Sequence, residues 1–274
     1  MESSEPASIA LLTAADLPDC LALSTQAGWN QSEADWRIFF ELGRVWGIRE
    51  ETQVVATAAL LPYPPSTAWV SMVLTAGPSQ GQGYASRLVA RVLNHCEEKR
   101  LAPQLDATAA GEGVYARLGF QTLSRLTRWR RTLRDRPEAK ARKTAEIPDN
   151  IDDLDAAAIG FARSDVLRSL SHRGPNLVSE TGFALSRKGR EAQHIGPLVA
   201  PDRQTAESLL SAMMDQLGAV SSVIIDANDE AEAFCALLPE FGFEPERAFA
   251  RMALGSPPRA KPTLYLASAG PELG

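Results

Sequence analysis

The clearest feature of the sequence is an amphipathic pattern between residues 85 and 96. Its apolar positions are spaced i, i+3, i+4, i+7, i+8 and i+11, and they are Ala85, Leu88, Val89, Val92, Leu93 and Cys96. This spacing places all six side chains on one side of an α-helix, so it predicts a helix that buries one face. The mostly apolar run 69–76 precedes it, ends at Gly77 and Pro78, and predicts a short buried strand.

The rest of the first half alternates between helical and strand patterns. Residues 13–28 begin with a threonine cap and carry apolar positions at helical spacing. Residues 44–63 predict two strands around a polar turn. After the central helix, a strand, a short helix and a final strand follow, over residues 103–110, 113–120 and 121–131. This alternation indicates an α/β fold.

The second half repeats the last part of this order, which indicates a duplicated unit. A second helical stripe lies 121 residues after the first and comprises Ala206, Leu209, Leu210, Met213, Met214 and Leu217. Phe243 lies 123 residues after Phe120, in a similar local sequence. The polar segment between the copies has prolines and no periodicity, as linkers do. We therefore predict an N-terminal domain of residues 1–134, a linker of residues 135–150 and a C-terminal domain of residues 151–274.

Composition narrows the functional classes. The 274 residues are 45% hydrophobic and 23% charged, which is ordinary for a soluble globular protein of two domains. A net charge of −6 offers no basic excess, so we expect no nucleic-acid partner. The three cysteines and three histidines are scattered without ligand spacing, which predicts neither a disulfide framework nor a metal site. No apolar run reaches the roughly 18 residues of a membrane span and no basic, apolar leader opens the sequence, so we expect a cytoplasmic protein without a membrane partner.

The turn before the central helix, GPSQGQGYASRL over residues 77–88, contains three glycines. The N–H groups of residues 81–85 have no partners within the helix, and the peptide dipoles place partial positive charge there. Gly81 and Gly83 leave the backbone open to a ligand. These features suit a phosphate or pyrophosphate. A plain tight turn also carries glycines, and the segment lacks the lysine of a P-loop and the GxGxxG spacing, so the turn alone leaves both interpretations open.

Two motifs resemble those of a known family. Gln80-Gly81-Gln82-Gly83-Tyr84-Ala85 resembles the Q/R-x-x-G-x-G/A motif of the GNAT family of N-acetyltransferases. Tyr115 opens YARLGF, which is similar to the family's second hallmark, a tyrosine on a short helix that ends in Gly-Phe. The resemblance covers roughly residues 7–132. It implies an α/β fold of two tandem GNAT-like domains, each with a mixed, mostly antiparallel central sheet flanked by helices.

The sequence departs from the family pattern in two places. The segment before Tyr115 lacks the asparagine that contacts CoA in many family members. The second copy keeps its helix but not the glycine loop, because Pro197, Pro201 and Asp202 stand near the expected cradle. An aspartate there would repel a pyrophosphate. The chain thus looks more like tandem GNAT proteins with a divergent second half, which implies a degenerate C-terminal domain that is structural or shapes the acceptor site.

The resemblance implies direct transfer of an acetyl group from acetyl-CoA, the acyl donor, to a primary amine. The positions that match the family's cofactor-binding strand and loop are Met72, Val73, Leu74, Gln80, Gly81, Gln82, Gly83, Tyr84 and Ala85. An amide near Val73 or Leu74 would polarise the thioester oxygen. Tyr115 would protonate the departing CoA thiolate. The alternative role for Tyr115 is packing against the cofactor sulfur.

The sequence defines the acceptor side less closely. Trp29 and Trp36 are candidates for an acceptor pocket, although Trp36 lies on a helical stripe typical of a core. Four acidic residues are candidates for the base, and each also suits a cap or a solvated position: Asp35, Glu41, Asp106 and Glu112. We expect a small-molecule amine as acceptor, with a protein amino group as the other option, and a monomer or homodimer. The alternative functions are a non-catalytic acyl-CoA binding or sensing protein and a protein-interaction scaffold.

Overall fold

A computed structural model describes residues 7–132, 151–218 and 220–274. The predicted linker, residues 135–150, lies outside the described residues. The strands of the described chain are β1 (Ile9–Leu11), β2 (Arg44–Glu50), β3 (Gln53–Tyr63), β4 (Thr67–Thr75), β5 (Ala102–Thr108), β6 (Gln121–Thr132), β7 (Asn176–Val178), β8 (Phe183–Lys188), β9 (Gln193–Val199), β10 (Ser222–Asn228), β11 (Glu244–Ala253) and β12 (Tyr265–Ala267). Its α-helices are α1 (Leu17–Gln26), α2 (Glu33–Leu42), α3 (Tyr84–Lys99), α4 (Ala109–Arg117), α5 (Ile151–Ile159), α6 (Ser164–Ser171), α7 (Arg203–Leu217) and α8 (Glu232–Cys235).

Helices cover both faces of the sheet in the first half. The amphipathic pattern forms much of α3, whose buried side chains are Tyr84, Leu88, Val89, Val92 and Cys96. Leu60 of β3 packs with α3, whereas its neighbour Leu61 packs in the cluster that contains Trp36 and Phe39 of α2. Successive strand residues point to opposite faces, so α1 and α2 lie across the sheet from α3.

A gap opens in the sheet where β4 and β5 separate. The two strands pair in parallel at their first residues, Thr67–Trp69 with Ala102–Gln104. The pairing ends there, although both strands continue. Met72 of β4 has a left-handed φ of 52°, and the register with β3 shifts between Thr57 and Ala59. This bulge leaves extra backbone on β4 unpaired with β3, at the point where the gap begins.

The two halves exchange strands. β11 from the second half inserts between β5 and β6, with Phe249 opposite Thr108 and Leu126. β6 from the first half then pairs with β10 along its length, from Ser222 opposite Thr132 to Asn228 opposite Leu126. All twelve strands therefore form one continuous sheet. The expected mixed, mostly antiparallel architecture is confirmed, because among the described strands only β4–β5 and β9–β10 pair in parallel.

The equivalent gap in the second half is filled by the chain itself. β9 and β10 pair in parallel from Val223–Gln193 to Ile225–Ile195 and then separate. β12 lies between them, pairing with Val199 and Leu198 of β9 and with Ala227 of β10. The helix α7 that follows β9 is capped by Asp202, whose carboxylate accepts a hydrogen bond from the Thr205 N–H at 2.8 Å. A protein carboxylate thus caps the helix end that is open in α3.

In the part of the chain that the structure describes, no helix combines the length and the apolar character needed to cross a bilayer.

Candidate active site

A cavity of about 730 Å³ occupies the gap between β4 and β5. Its walls come from these two strands, from the beginning of α3, from α4 and from the α1–α2 loop. The second half also contributes, through Arg247 and Phe249 of β11 and through Pro271 and Glu272. The strand exchange places β11 beside β5, so the cavity is built by both halves of the chain.

The glycine turn forms one end of this cavity. Gly81 and Gly83 have φ angles of 79° and 77°, a left-handed conformation that favours glycine. A Cβ at either position would meet no atom within 4 Å, so the space in front of this backbone is open. Gly83 precedes α3 without a side-chain cap. The first N–H groups of α3 therefore face the cavity end without a protein partner, which suits an anion such as a pyrophosphate.

Most of the predicted cofactor-binding residues line the cavity. Those that do are Met72, Val73, Gln80, Gly81, Gly83, Tyr84 and Ala85. Leu74 and Gln82 do not belong to the lining. Leu74 is buried and packs in the core beneath α1 and α2, whereas Gln82 is exposed on the outside of the turn. Ser86 of α3 also lines the cavity, and it directly follows Ala85, the last residue of the motif.

Tyr115 reaches the cavity from α4, across the gap from the glycine turn. Its ring packs edge to face on Phe120 at a centroid distance of 5.7 Å, which holds the ring in place. Burial raises the pKa of the Tyr115 phenol to about 12. The phenol therefore keeps its proton at neutral pH and can donate it to a group in the cavity.

The two predicted tryptophans lie in different places. Trp29 lines the cavity, but Trp36 is fully buried and donates a hydrogen bond from Nε1 to Ser24 Oγ at 3.0 Å. Asn30, next to Trp29, fastens the α1–α2 loop to the second half. Its Oδ1 accepts hydrogen bonds from the N–H groups of Glu191 and Ala192, both at 2.9 Å. The second half thus fixes the loop that carries Trp29.

Glu272 is a cavity residue that the sequence did not indicate. It lies in the segment 265–274, which contains β12 and then runs to the first half. There the Trp69 indole donates to the Pro271 carbonyl at 2.9 Å, and the Tyr63 hydroxyl donates to the Leu273 carbonyl at 2.7 Å. These bonds hold Glu272 between them at the cavity wall, where its side chain is 4% exposed. No sequence pattern marks Glu272 as a site residue, because a single glutamate after a proline forms no motif.

A chain of buried charges extends from Glu272 behind the cavity wall. Arg187 donates to Glu272 Oε1 at 2.7 Å and to Asp35 Oδ1 at 3.0 Å. Burial raises the pKa of Glu272, and Arg187 opposes this only in part. Burial also disfavours the charged form of Asp35, but Arg187 and Arg173 outweigh it and lower the pKa of Asp35 to about 2. Of these two carboxyl groups, Glu272 therefore takes up a proton more readily than Asp35.

His194 continues this chain of buried side chains from Arg187 to Asp226. An arginine can only donate, so Arg187 Nη1, at 2.8 Å, donates to Nδ1 of His194. The His194 Nε2–H then donates to Asp226 Oδ2 at 3.0 Å. Burial and Arg187 lower the pKa of His194 to about 4, so the ring is neutral at neutral pH. Asp226 is also bound by Arg128 through two hydrogen bonds, at 2.7 and 2.8 Å.

The other acidic candidates are engaged elsewhere. Asp106 lines the cavity, but both of its carboxylate oxygens accept hydrogen bonds from Arg251, at 2.9 and 2.8 Å. Glu112 pairs with Arg125 at 2.8 Å on the exposed side of α4. Glu41 is exposed on α2 and is not part of the cavity wall. Among the described residues, no group of three His, Cys, Asp or Glu side chains could hold a metal ion.

Unpartnered polar atoms concentrate at this cavity. Among the described residues, eight buried side-chain nitrogen or oxygen atoms lack a hydrogen-bond partner, and five of them belong to cavity residues. These five are Gln31 Oε1, Ser71 Oγ, Thr75 Oγ1, Arg247 Nε and Glu272 Oε2. Buried polar atoms rarely remain unpaired in folded proteins. Their concentration at one cavity makes it the candidate ligand-binding site.

The sequence matches two models of one family. The model Acetyltransferase (GNAT) family matches residues 15–120, and the model Acetyltransferase (GNAT) domain matches residues 151–266. Together they cover most of the chain, which therefore belongs to the GNAT family of acetyltransferases. Because the two matches follow one another, it is a tandem GNAT protein, and the expected fold is confirmed. No curated protein sequence matches the chain.

Solved structures share this fold. The chain is similar to an acetyltransferase-like protein from Pyrococcus horikoshii, with a TM-score of 0.83, 22% identity and coverage of 100% of this chain and 99% of that one. A tandem GNAT protein from the clavulanic acid biosynthesis pathway gives a TM-score of 0.64 at 14% identity over 92% and 100% of the two chains. A GNAT N-acetyltransferase from Sphaerobacter thermophilus gives 0.61 at 11% identity over 93% and 98%. At these identities the likeness is one of fold.

Proposed function

We propose that this protein transfers an acetyl group from acetyl-CoA to a primary amine, without a covalent enzyme intermediate. The observation that carries the proposal is that three features occur in one cavity. The uncapped start of α3 behind Gly81 and Gly83 suits a pyrophosphate, the gap between β4 and β5 suits an extended pantetheine arm, and the Tyr115 side chain lines the same cavity.

The residues of the cavity account for each part of the transfer. The bulge at Met72 leaves β4 backbone free to hydrogen-bond the pantetheine arm, and an N–H near Val73 polarises the thioester carbonyl. The neutral amine nitrogen attacks that carbonyl, a C–N bond forms, the C–S bond breaks, and the nitrogen loses one proton to cavity water. Tyr115 gives its proton to the departing sulfur and regains one from cavity water.

The second half acts in this proposal as a support for the first. β12 occupies the gap in which a second acyl donor would lie, and the Asp202 carboxylate occupies the helix end that would receive its pyrophosphate. The same half positions the α1–α2 loop through Asn30 and brings Glu272 to the cavity. We therefore assign catalysis to the domain of residues 1–134. The domain of residues 151–274 has a structural role, which is to shape the part of the cavity that receives the acceptor.

The proposal is tested by release of the CoA thiol, measured with a thiol reagent while acetyl-CoA and primary amines are supplied. We expect amine-dependent release in the wild type and a decrease of about 10²-fold or more in kcat for Tyr115→Phe, the size of a lost general acid. Acetyl-CoA affinity should remain within about threefold, because the phenyl ring and its packing on Phe120 are kept. Equal turnover by the two proteins would reject the acid role. Binding of acetyl-CoA without release on any amine would support the acyl-CoA sensing alternative.

A further inference from the structure

The lining of the cavity contains a carboxylate with one free oxygen. Glu272 is almost completely buried, and its Oε1 is taken by Arg187 at 2.7 Å. Its Oε2 has no hydrogen-bond partner among the described residues. A buried carboxylate oxygen without a donor is costly unless a ligand supplies one. An ammonium group supplies both the donor and the opposite charge.

The lining of this cavity also contains a guanidinium group with a free N–H. The side chains of Arg128 and Arg247 flank the Phe249 ring, with guanidinium-to-centroid distances of 5.4 and 5.8 Å. Asp226 engages Arg128 through Nε and Nη2. Arg247 is less committed, because its Nε is buried without a partner and its Nη2 is 3.7 Å from Glu246. A planar guanidinium with unused donors is the protein group best suited to bind a carboxylate.

Building on the proposed function, we propose that the acceptor is an amine that also carries a carboxylate, with its amino group against Glu272 and its carboxylate against Arg247. Both residues belong to the second half of the chain and line the cavity. Arg128 connects the two positions: it is the partner of Arg247 in the β6–β11 pairing, and Glu272 is among the acidic groups that raise its pKa.

Glu272 takes the proton that the ammonium group must lose before attack. The free amine then forms the C–N bond, the C–S bond breaks with its electron pair on sulfur, and Tyr115 protonates the thiolate. The nitrogen loses its second proton to cavity water as the amide forms. Protonated Glu272 releases its proton to cavity water, and Tyr115 is reprotonated from the same source. The balance is one ammonium and one thioester consumed, and one amide, one thiol and one proton formed. The raised pKa of Glu272 agrees with this exchange of protons.

Matched pairs of acceptors test the proposal. Glycine, β-alanine, γ-aminobutyrate and phenylalanine are each compared with the amine that lacks the carboxylate: methylamine, ethylamine, propylamine and phenethylamine. At saturating acetyl-CoA, we expect kcat/KM to be at least about 10-fold higher for the better amino acids than for their amines, the effect of one charge-assisted hydrogen bond. Arg247→Gln should remove that preference, because it should raise KM for the amino acids at least about 10-fold more than for the simple amines. Arg203→Gln, an exposed arginine paired with Glu240 away from the cavity, is the matched control.

Glu272→Gln tests the proposed role of Glu272 at the amino group of the acceptor. The amide oxygen can still accept the Arg187 hydrogen bond, so we expect the thermal midpoint to change little. We expect kcat to fall about 10²-fold for amino acids and amines alike, with loss of the acid limb of the pH–rate profile. Rescue by raised pH, where the amine is already deprotonated, would distinguish this role from a structural one. Glu240→Gln, at an exposed position, should have no effect.

Two results would overturn the inference: equal kcat/KM within each pair of acceptors, or an Arg247→Gln variant that affects both members of a pair alike. If no amine is acetylated, the proposed function fails, and calorimetric titration of the four amino acids into the protein saturated with CoA still decides the acceptor class. Binding that is weakened at least about 10-fold in Arg247→Gln supports it. No binding of any of the four rejects it.

Discussion

Gly83→Asp probes the cradle by placing a side chain and a negative charge in front of the uncapped N–H groups of α3. The backbone there has φ 77°, so any residue other than glycine adds strain of about 1 kcal/mol. The space itself is open, since a Cβ would meet no atom within 4 Å. The folding cost should therefore be confined to this backbone strain.

The binding cost of Gly83→Asp is larger. Two unit charges about 5 Å apart repel by about 3 kcal/mol at an effective dielectric of about 20 and by less than 1 kcal/mol in bulk water. At an intermediate value of about 1.5 kcal/mol for each of the two pyrophosphate charges, the loss is about 3 kcal/mol. This corresponds to an acetyl-CoA Kd roughly 100-fold higher, measured by calorimetry.

Gly242→Asp is the matched control for this substitution. Gly242 has the same φ of 77°, and a Cβ there makes only ordinary contact with Arg131, at 3.9 Å. Both variants should lose about 1 kcal/mol of unfolding free energy, measured in urea, from the shared strain. Only Gly83→Asp should lose acetyl-CoA affinity. A Kd within threefold of the wild type in Gly83→Asp would refute the placement of the pyrophosphate at this helix end.

Three further substitutions or conditions have defined outcomes. Asn30→Ala leaves the buried N–H of Ala192 without its acceptor, so it should cost about 2–3 kcal/mol in urea unfolding and raise the KM of the acceptor, because the loop also carries Trp29. Asp202→Ala should cost about 1 kcal/mol as a lost helix cap, and a changed acetyl-CoA Kd in this variant would count against a structural role for α7. The pKa of His194 falls from 6.5 to about 4 on folding, so below about pH 6.5 the unfolded chain binds a proton that the folded chain excludes. Stability should therefore decline between pH 6.5 and 4, by up to about 1.4 kcal/mol per pH unit from this group, and a His194→Gln variant with an equally steep decline would exclude His194 as the cause.

The sequence predicts those parts of the site that depend on local order. The spacing of apolar residues in 85–96 predicts α3, and the glycines before it predict an open helix start, because both depend on neighbouring residues. Tyr115 was identifiable from its own short motif, and it lines the cavity. Trp36 illustrates the limit of such patterns: its helical stripe suited a core as well as a pocket, and the structure places it in the core, bonded to Ser24.

The remaining parts of the site depend on pairing between distant residues. β11 reaches β5 across more than a hundred residues, and nothing in either strand's sequence specifies an exchange between the two halves. Arg247 and Glu272 enter the cavity only through that exchange and through the path of the segment 265–274. Neither residue belongs to a sequence motif, so only the folded chain shows that both line the same cavity as Tyr115.

The central claim is that the chain has one acyl-CoA site, in its first half. Calorimetric titration of the purified protein with acetyl-CoA tests it most directly, because this measurement gives stoichiometry and affinity together. We predict one site per chain, strongly weakened by Gly83→Asp and unaffected by Asp202→Ala. Two sites per chain would contradict the blocked second gap, and the absence of binding would contradict the proposed function itself.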